Sequence, residues 1–204
     1  MHKILGGYDD GYTALPCFWG KAPGSLVRTF LNARDVRGFH VLDIGAGEWR
    51  NAAAFARRGA SVDAVECSTA AIANGRIAFH EADVNWIQAD VLTLDFPRES
   101  YDVVVNYGLI HCLHSEDGAL RVLLNSKAAA KRGGTYILVA FNNGSHDLNA
   151  HPMLKPLLMG HAWFLEAFAD WEIVSATDTV LYETHPHNGI PHHHSLTRLA
   201  ARRR

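Results

Sequence analysis

Residues Val41-Leu42-Asp43-Ile44-Gly45-Ala46-Gly47-Glu48-Trp49-Arg50-Asn51-Ala52 constrain this chain more than any other stretch. An apolar strand runs into a turn with glycines at alternate positions, and an alanine-rich helix opens behind it. Glycine lets the backbone bend tightly and approach a ligand closely, where a side chain would stand in the way. The helix start leaves amide donors for an anionic group. Asp43, ahead of the first glycine, can accept a hydrogen bond from a cationic or hydroxyl-bearing part of a ligand. Two-glycine turns also close ordinary strand–helix corners, so the meaning of this one rests on the residues spaced at fixed distances beyond it.

Past the turn, apolar runs alternate with helical patterns, the signature of a parallel sheet wrapped by helices. The pattern predicts strands over Phe39–Ile44, Ser61–Val65, Val84–Ala89, Tyr101–Val105 and Thr135–Phe141. Helices are expected over Ser25–Ala33 with Ser25 as N-cap, Glu48–Arg58, from Ser68 to about Phe79, and Gly118–Ala130. After a last helix over His161–Phe168 the rhythm changes. Trp171–Tyr182 and Ser195–Ala201 are strands joined only by a loop rich in His, Pro and Gly, so they should pair antiparallel. The fold expected is a Rossmann-like α/β doubly wound sheet of seven strands, mostly parallel and antiparallel at its C-terminal end. At 204 residues the chain suits a single domain, 1–204, with residues 1–24 as an aromatic lid or covering segment.

In an open parallel sheet, ligands sit beyond the carboxyl ends of the strands. Four successive apolar runs end in polar groups: Asp43, Glu66, Asp90 and Asn106. Glu66 falls 21 residues after Gly45, a spacing at which a carboxylate can reach a ribose diol, matching two acceptors to two hydroxyls. Asp90 can accept from an exocyclic amine such as that of adenine.

With these residues the sequence resembles the class I S-adenosylmethionine-dependent methyltransferases over Val41 to Phe141. The segment Phe18-Trp19-Gly20-Lys21-Ala22-Pro23 and the Arg50-Asn51 pair look most like the small tellurite-resistance type. The resemblance implies S-adenosyl-L-methionine as cofactor, with Asp43, Gly45 and Gly47 at its methionine end. Glu66 would take the ribose hydroxyls with Cys67 beside it, Asp90 and Val91 the adenine, and Asn106 with Tyr107 the edge of the methyl-transfer site. Trp49 stands where the pattern has a third glycine; its amide is expected to remain available, and its indole must point away or cover part of the pocket. The dinucleotide-binding use of such a turn would need a glycine at Arg50. Two other readings of the fold stay open: a non-methylating reaction such as an isomerisation or cyclisation, and a non-catalytic nucleotide-binding partner subunit.

Methyl transfer from a sulfonium needs an aligned acceptor and, for a hydroxyl or amine, a base. His111, near the fourth strand's end, is the candidate base, with Tyr107 beside the reaction centre; His114 is expected to pack. The acceptor pocket is expected from Tyr8, Tyr12, Phe18, Trp19, Tyr107, Phe141, Asn142, His151 and Met153, whose aromatic walls suit a small molecule. A second histidine cluster, His185, His187, His192, His193 and His194, has no cysteine or carboxylate within the hairpin tip, and neighbouring strand residues face opposite ways. It is read as a solvated or pocket-lining loop, and no stoichiometric metal is expected. His146 and His151 could join it only through folding.

A net charge of −2 gives no general attraction to nucleic acid or anionic membranes, and the Arg198 and Arg202–Arg204 end reads as a solvated tail. No apolar run reaches membrane-spanning length, no export signal leads the chain, and Cys17, Cys67 and Cys112 make no disulfide framework. A cytoplasmic monomer or homodimer acting on a small molecule is the expectation.

Overall fold

The strand carrying the glycine turn, β1 (His40–Ile44), lies in the interior of a seven-stranded sheet, and its residues Val41 to Ile44 are all buried. The structure is a computed structural model that describes residues 8–151, 154–184 and 189–204; Met153, His185 and His187 lie outside them. The other strands are β2 (Ser61–Glu66), β3 (Asn85–Gln88), β4 (Tyr101–Tyr107), β5 (Ala130–His146), β6 (Glu172–Thr184) and β7 (Pro191–Arg202). Their order is β3-β2-β1-β4-β5-β7-β6, with β1 to β5 parallel and β7 antiparallel to both β5 and β6. This is the expected sheet.

Helices cover both faces. On one, α2 (Ser25–Ala33), α3 (Arg50–Ala56) and α4 (Thr69–Ala78) pack Val27, Leu31, Phe55 and Ile72 against Val41, Val62, Val103 and Ile137. On the other, α5 (Glu116–Ala129) and α6 (His161–Ala167) pack Leu123 and Phe164 against Leu42, Ile44, Val104 and Leu138. The strict alternation of Val41 and Leu42, or Val103 and Val104, between the two cores follows from the two-residue strand period. Each such aliphatic side chain contributes about 1.5–3 kcal/mol by leaving water.

Several local expectations need correction. Ser25 is the first helical residue of α2, not its cap; Gly24 holds the cap position without a side-chain bond. Ser68 does cap α4, accepting from the Ala71 amide at 3.1 Å. The helix after the glycine turn begins at Arg50 rather than Glu48, because Trp49 has φ +80° and cannot continue a right-handed helix. A short helix, α1 (Asp9–Ala14), lies within the segment read only as a lid. β5 runs five residues beyond Phe141, with a register shift between Phe141 and His146, and His146 still pairs with His194. The basic end is no loose tail: Arg202 pairs with Glu172 at 2.7 Å and Arg203 with Glu99 at 2.8 Å.

Candidate active site

The parallel register sets the polar strand ends side by side. Asp43 pairs with Ala64 of β2 and Val105 of β4, Ile44 with Asn106, and Glu66 with Gln88, two residues before Asp90. All four polar groups therefore occupy one rim of the sheet.

Asp43 is 1% exposed, and neither carboxylate oxygen has a hydrogen bond of ordinary geometry among the described residues. Burial pushes its pKa up to about 7; the nearby Glu66 charge adds to this, and the Ala52 backbone and Arg50 oppose it. Asn106 is fully buried: its Nδ2 donates to the Tyr136 hydroxyl at 3.2 Å and its Oδ1 has no hydrogen bond among the described residues. Glu66 is held by backbone. Its Oε1 accepts from the amides of Cys67 (2.9 Å) and Ser68 (2.8 Å), and its Oε2 from Gly47 (2.8 Å). That leaves Oε2 acceptor capacity for a ligand hydroxyl. Asp90 is exposed and turns Oδ1 to the Leu92 amide at 2.9 Å, with Val91 buried next to it.

The glycines of the turn are needed for its shape. Gly45 and Gly47 have φ of +66° and +55°. A Cβ on Gly45 would come 2.9 Å from Leu109, and one on Gly47 would come 2.9 Å from the Tyr12 hydroxyl.

Trp49 takes the left-handed conformation that a third glycine would supply, at a cost of about 1–2 kcal/mol for a residue with a Cβ. Its indole points away from the rim. It is 2% exposed, stacks on Trp86 at an interplanar angle of 13°, and lies where a Cβ on Gly75 would come within 2.5 Å. Its amide is spent on the Ala46 carbonyl at 3.0 Å. Trp49 therefore fixes the turn and fills core; its expected available amide is taken inside the protein.

The segment expected to act as a lid is held by residues just after the turn. Glu48 Oε1 accepts from the Cys17 amide (2.8 Å) and Asn74 Nδ2 (2.8 Å), and its Oε2 from the Phe18 amide (2.6 Å). Arg50 Nη1 donates to the Trp19 carbonyl (2.8 Å), and Asn51 Oδ1 accepts from the Gly24 amide (2.8 Å). The Ser68 hydroxyl donates to Asp9. Within the lid, Trp19 Nε1 donates to the Tyr12 hydroxyl at 3.2 Å, and the Phe18 ring meets both Tyr12 and Trp19 edge to face. The role of Glu48 has no sequence signal, since its partners are mostly backbone amides some 30 residues away.

His111 lies next to Tyr8 of this segment. It is 3% exposed, stacks on Phe141 at 3.9 Å, and accepts from the Phe141 amide at Nδ1 over 3.1 Å. Burial, reinforced by His194, His146 and His151, lowers its pKa to about 3. The ring is neutral, and with Nδ1 accepting its proton sits on Nε2, which faces the Tyr8 hydroxyl at 3.4 Å. In this tautomer His111 is a donor rather than the expected base. The Tyr107 hydroxyl accepts from the Ser25 amide at 3.2 Å. Asn142, expected in the acceptor pocket, is turned inward: its Nδ2 donates to Asp178 at 2.7 Å and its Oδ1 accepts from the Gly144 amide at 3.0 Å. His151 is buried with its ring centre 6.4 Å from those of both Tyr8 and Trp19.

Residues 41–134 match a family described as a methyltransferase domain. Uncharacterized methyltransferases of Mycobacterium bovis and Mycobacterium tuberculosis are 33% identical to the chain over 101 residues, which is 50% of this chain and 50% of theirs. The chain thus spans about half the length of the curated relatives it matches. Among solved structures, TehB from Haemophilus influenzae superposes with a TM-score of 0.75 at 17% identity, over 89% of this chain and 62% of its own. Magnesium protoporphyrin IX methyltransferase from Synechocystis, solved with S-adenosylmethionine bound, gives 0.65 at 16%, over 97% of this chain and 80% of its own. Residues 41–134 are thus similar in sequence to the methyltransferase domain, and the seven-stranded sheet has the Rossmann-like fold of the class I S-adenosylmethionine-dependent methyltransferases.

Proposed function

We propose that this protein transfers a methyl group from S-adenosylmethionine to a small-molecule acceptor held beneath residues 8–24. The observation that carries this reading is the rim of β1 to β4, where buried oxygens of Asp43 and Asn106 have no hydrogen bond of ordinary geometry among the described residues. A buried carboxylate without a partner is costly unless a ligand supplies one. The rim fits the cofactor. Asp43 and the Gly45–Gly47 turn would hold its amino-acid end, Glu66 the ribose, Asp90 and Val91 the adenine, and Asn106 the region next to the reacting carbon. When bound, S-adenosylmethionine supplies a methyl group already activated by its sulfonium.

The chain's own residues then exclude water and orient the acceptor. Tyr8, Tyr12, Phe18 and Trp19 cover the turn, and Tyr107 and Phe141 extend an apolar wall suited to a small organic molecule. His111 Nε2–H donates to an oxygen or nitrogen of the acceptor and holds it in line; the nucleophile is one that reacts without a strong base from this ring. Because the Trp49 indole lies in the core, the main sequence motive for a non-methylating reaction falls away. We place the protein in the cytoplasm, as a single domain working as a monomer or homodimer. Among the described residues no helix is long and apolar enough to cross a membrane.

The test is incubation with methyl-labelled S-adenosylmethionine and a panel of small thiols, amines, phenols and oxyanions. Label should move into a low-molecular-weight product with release of S-adenosylhomocysteine, and His111→Ala should lower that rate at least tenfold. Label confined to added protein or nucleic acid would contradict the acceptor class.

A further inference from the structure

Folding assembles a second polar centre that the methyl-transfer reading does not use. His192 and His194 sit two apart on β7 and share a face, while His193 faces the other way and meets the Ser145 hydroxyl at 3.0 Å. The loop after β5 brings His151 to them. One ring nitrogen from each of the buried His151, His192 and His194 lies within 4.8 Å of the other two. The carboxylate absent from the hairpin tip comes from β6: Glu183 is the register partner of His192, and its Oε1 lies 3.7 Å from His192 Nε2 and 3.8 Å from His194 Nε2.

The outer contacts of these rings set their tautomers. His192 Nδ1 lies 2.8 Å from the Ile190 carbonyl, which can only accept, so Nδ1 carries the proton and Nε2 the lone pair. His146 Nε2 likewise donates to the Asn142 carbonyl at 2.6 Å, leaving its Nδ1 to accept from His194 Nδ1 at 3.3 Å. His194 thus also carries its lone pair on Nε2. Both Nε2 atoms face the Glu183 carboxylate, which gathers imidazole acceptors and a carboxylate oxygen around one point. Imidazoles whose second nitrogen donates to a carbonyl or another ring are the usual support of metal-ligating histidines.

We propose that His151, His192, His194 and Glu183 form a site for one divalent transition-metal ion of the Zn2+ type. Three imidazoles and one carboxylate suit this borderline cation. Nitrogens bound tetrahedrally at about 2.0–2.1 Å lie about 3.3 Å apart. His151 Nε2 and His192 Nε2 are already 3.3 Å apart. Closing the three imidazoles, now within 4.8 Å of one another, requires each separation to shorten by no more than roughly 1.5 Å, and Glu183 approaches from the side of His192 and His194. The ion would clasp the loop carrying His151 to the β6–β7 hairpin. It would border the acceptor side of the cleft, since Phe141 stacks on His111 with one face and on His194 with the other. The proposal does not depend on methyl transfer.

The test uses the full chain without a polyhistidine tag, stripped with a chelator and titrated with Zn2+ against a chromophoric competitor. The expected result is one Zn2+ per chain, a raised melting temperature in its presence, and Co2+ substitution giving the visible absorption of a four-coordinate ion. His192→Ala with His194→Ala should weaken binding at least a hundredfold and abolish the thermal shift; His193→Ala, on the opposite face, should bind as the wild type does. Should the double variant fail to fold, Glu183→Gln decides, with at least tenfold weaker binding expected. Absence of one-to-one binding by the wild type, or equal binding by the folded His192/His194 variant or by Glu183→Gln, overturns the proposal.

Discussion

The Tyr12 hydroxyl lies directly against Gly47, so close that a Cβ on the glycine would come within 2.9 Å of it. The turn expected to cradle the cofactor and the segment expected to cover it are therefore in contact. Gly47→Ala should disturb both, through its φ of +55° and through Tyr12. We expect at least tenfold weaker binding of S-adenosylhomocysteine by calorimetry; unchanged affinity would show that the lid does not rest on the site.

Glu48 ties that segment to the turn. Glu48→Ala removes the acceptor for the Cys17 and Phe18 amides, each such charge-assisted bond contributing roughly 1.5–3 kcal/mol. Hydrogen exchange at those two amides should accelerate at least tenfold while β1 to β5 stay protected. Equal acceleration across the sheet would mean that Glu48 holds the fold rather than the lid.

Asp43 gives the site a pH dependence. With its pKa raised to about 7 by burial, it retains a proton in the folded state from about pH 4 to about pH 7. The stability this proton supplies is lost as pH rises through about 7. A cationic ligand favours the ionised carboxylate, so affinity for S-adenosylmethionine should rise between about pH 6 and about pH 8. Asp43→Asn should flatten that part of the profile; an unchanged slope in the variant would assign it elsewhere.

His111 acts in the opposite sense. Its pKa of about 3 lies below the ordinary value of 6.5, so the stability it contributes is complete above about pH 6.5 and lost as pH falls toward 3. His111→Gln keeps an acceptor for the Phe141 amide without titrating, and should move the acid-unfolding midpoint to lower pH. A turnover limb near the usual histidine pKa that this substitution abolishes would restore the base role.

Trp49→Gly separates shape from contact. Loss of the buried indole, partly offset by relief of a positive φ, should lower stability by about 3 kcal/mol in urea denaturation while cofactor affinity is kept or improved. A large loss of affinity in the folded variant would show that the ring shapes the site.

The sequence made the sheet's interior legible because β1, β2 and β4 are largely buried on both faces and their apolar runs end in polar residues. The expected Ser61–Val65 and Tyr101–Val105 start where β2 and β4 start and stop one and two residues short of their ends for that reason. α1 escaped because six residues with a glycine among them carry no amphipathic period. The direction of the Trp49 side chain followed from a backbone angle that no spacing reports. The gathering of His151 with His192, His194 and Glu183 was invisible because its parts come from a loop and two strands, and the carboxylate lies across the hairpin rather than within its tip.

Calorimetric titration of S-adenosylhomocysteine into the wild type and into Glu66→Ala tests most directly whether the rim of β1 to β4 is the cofactor site. One molecule should bind per wild-type chain, and the variant should bind at least tenfold more weakly with its circular dichroism unchanged. No binding by the wild type, or equal affinity in the folded variant, would contradict that assignment.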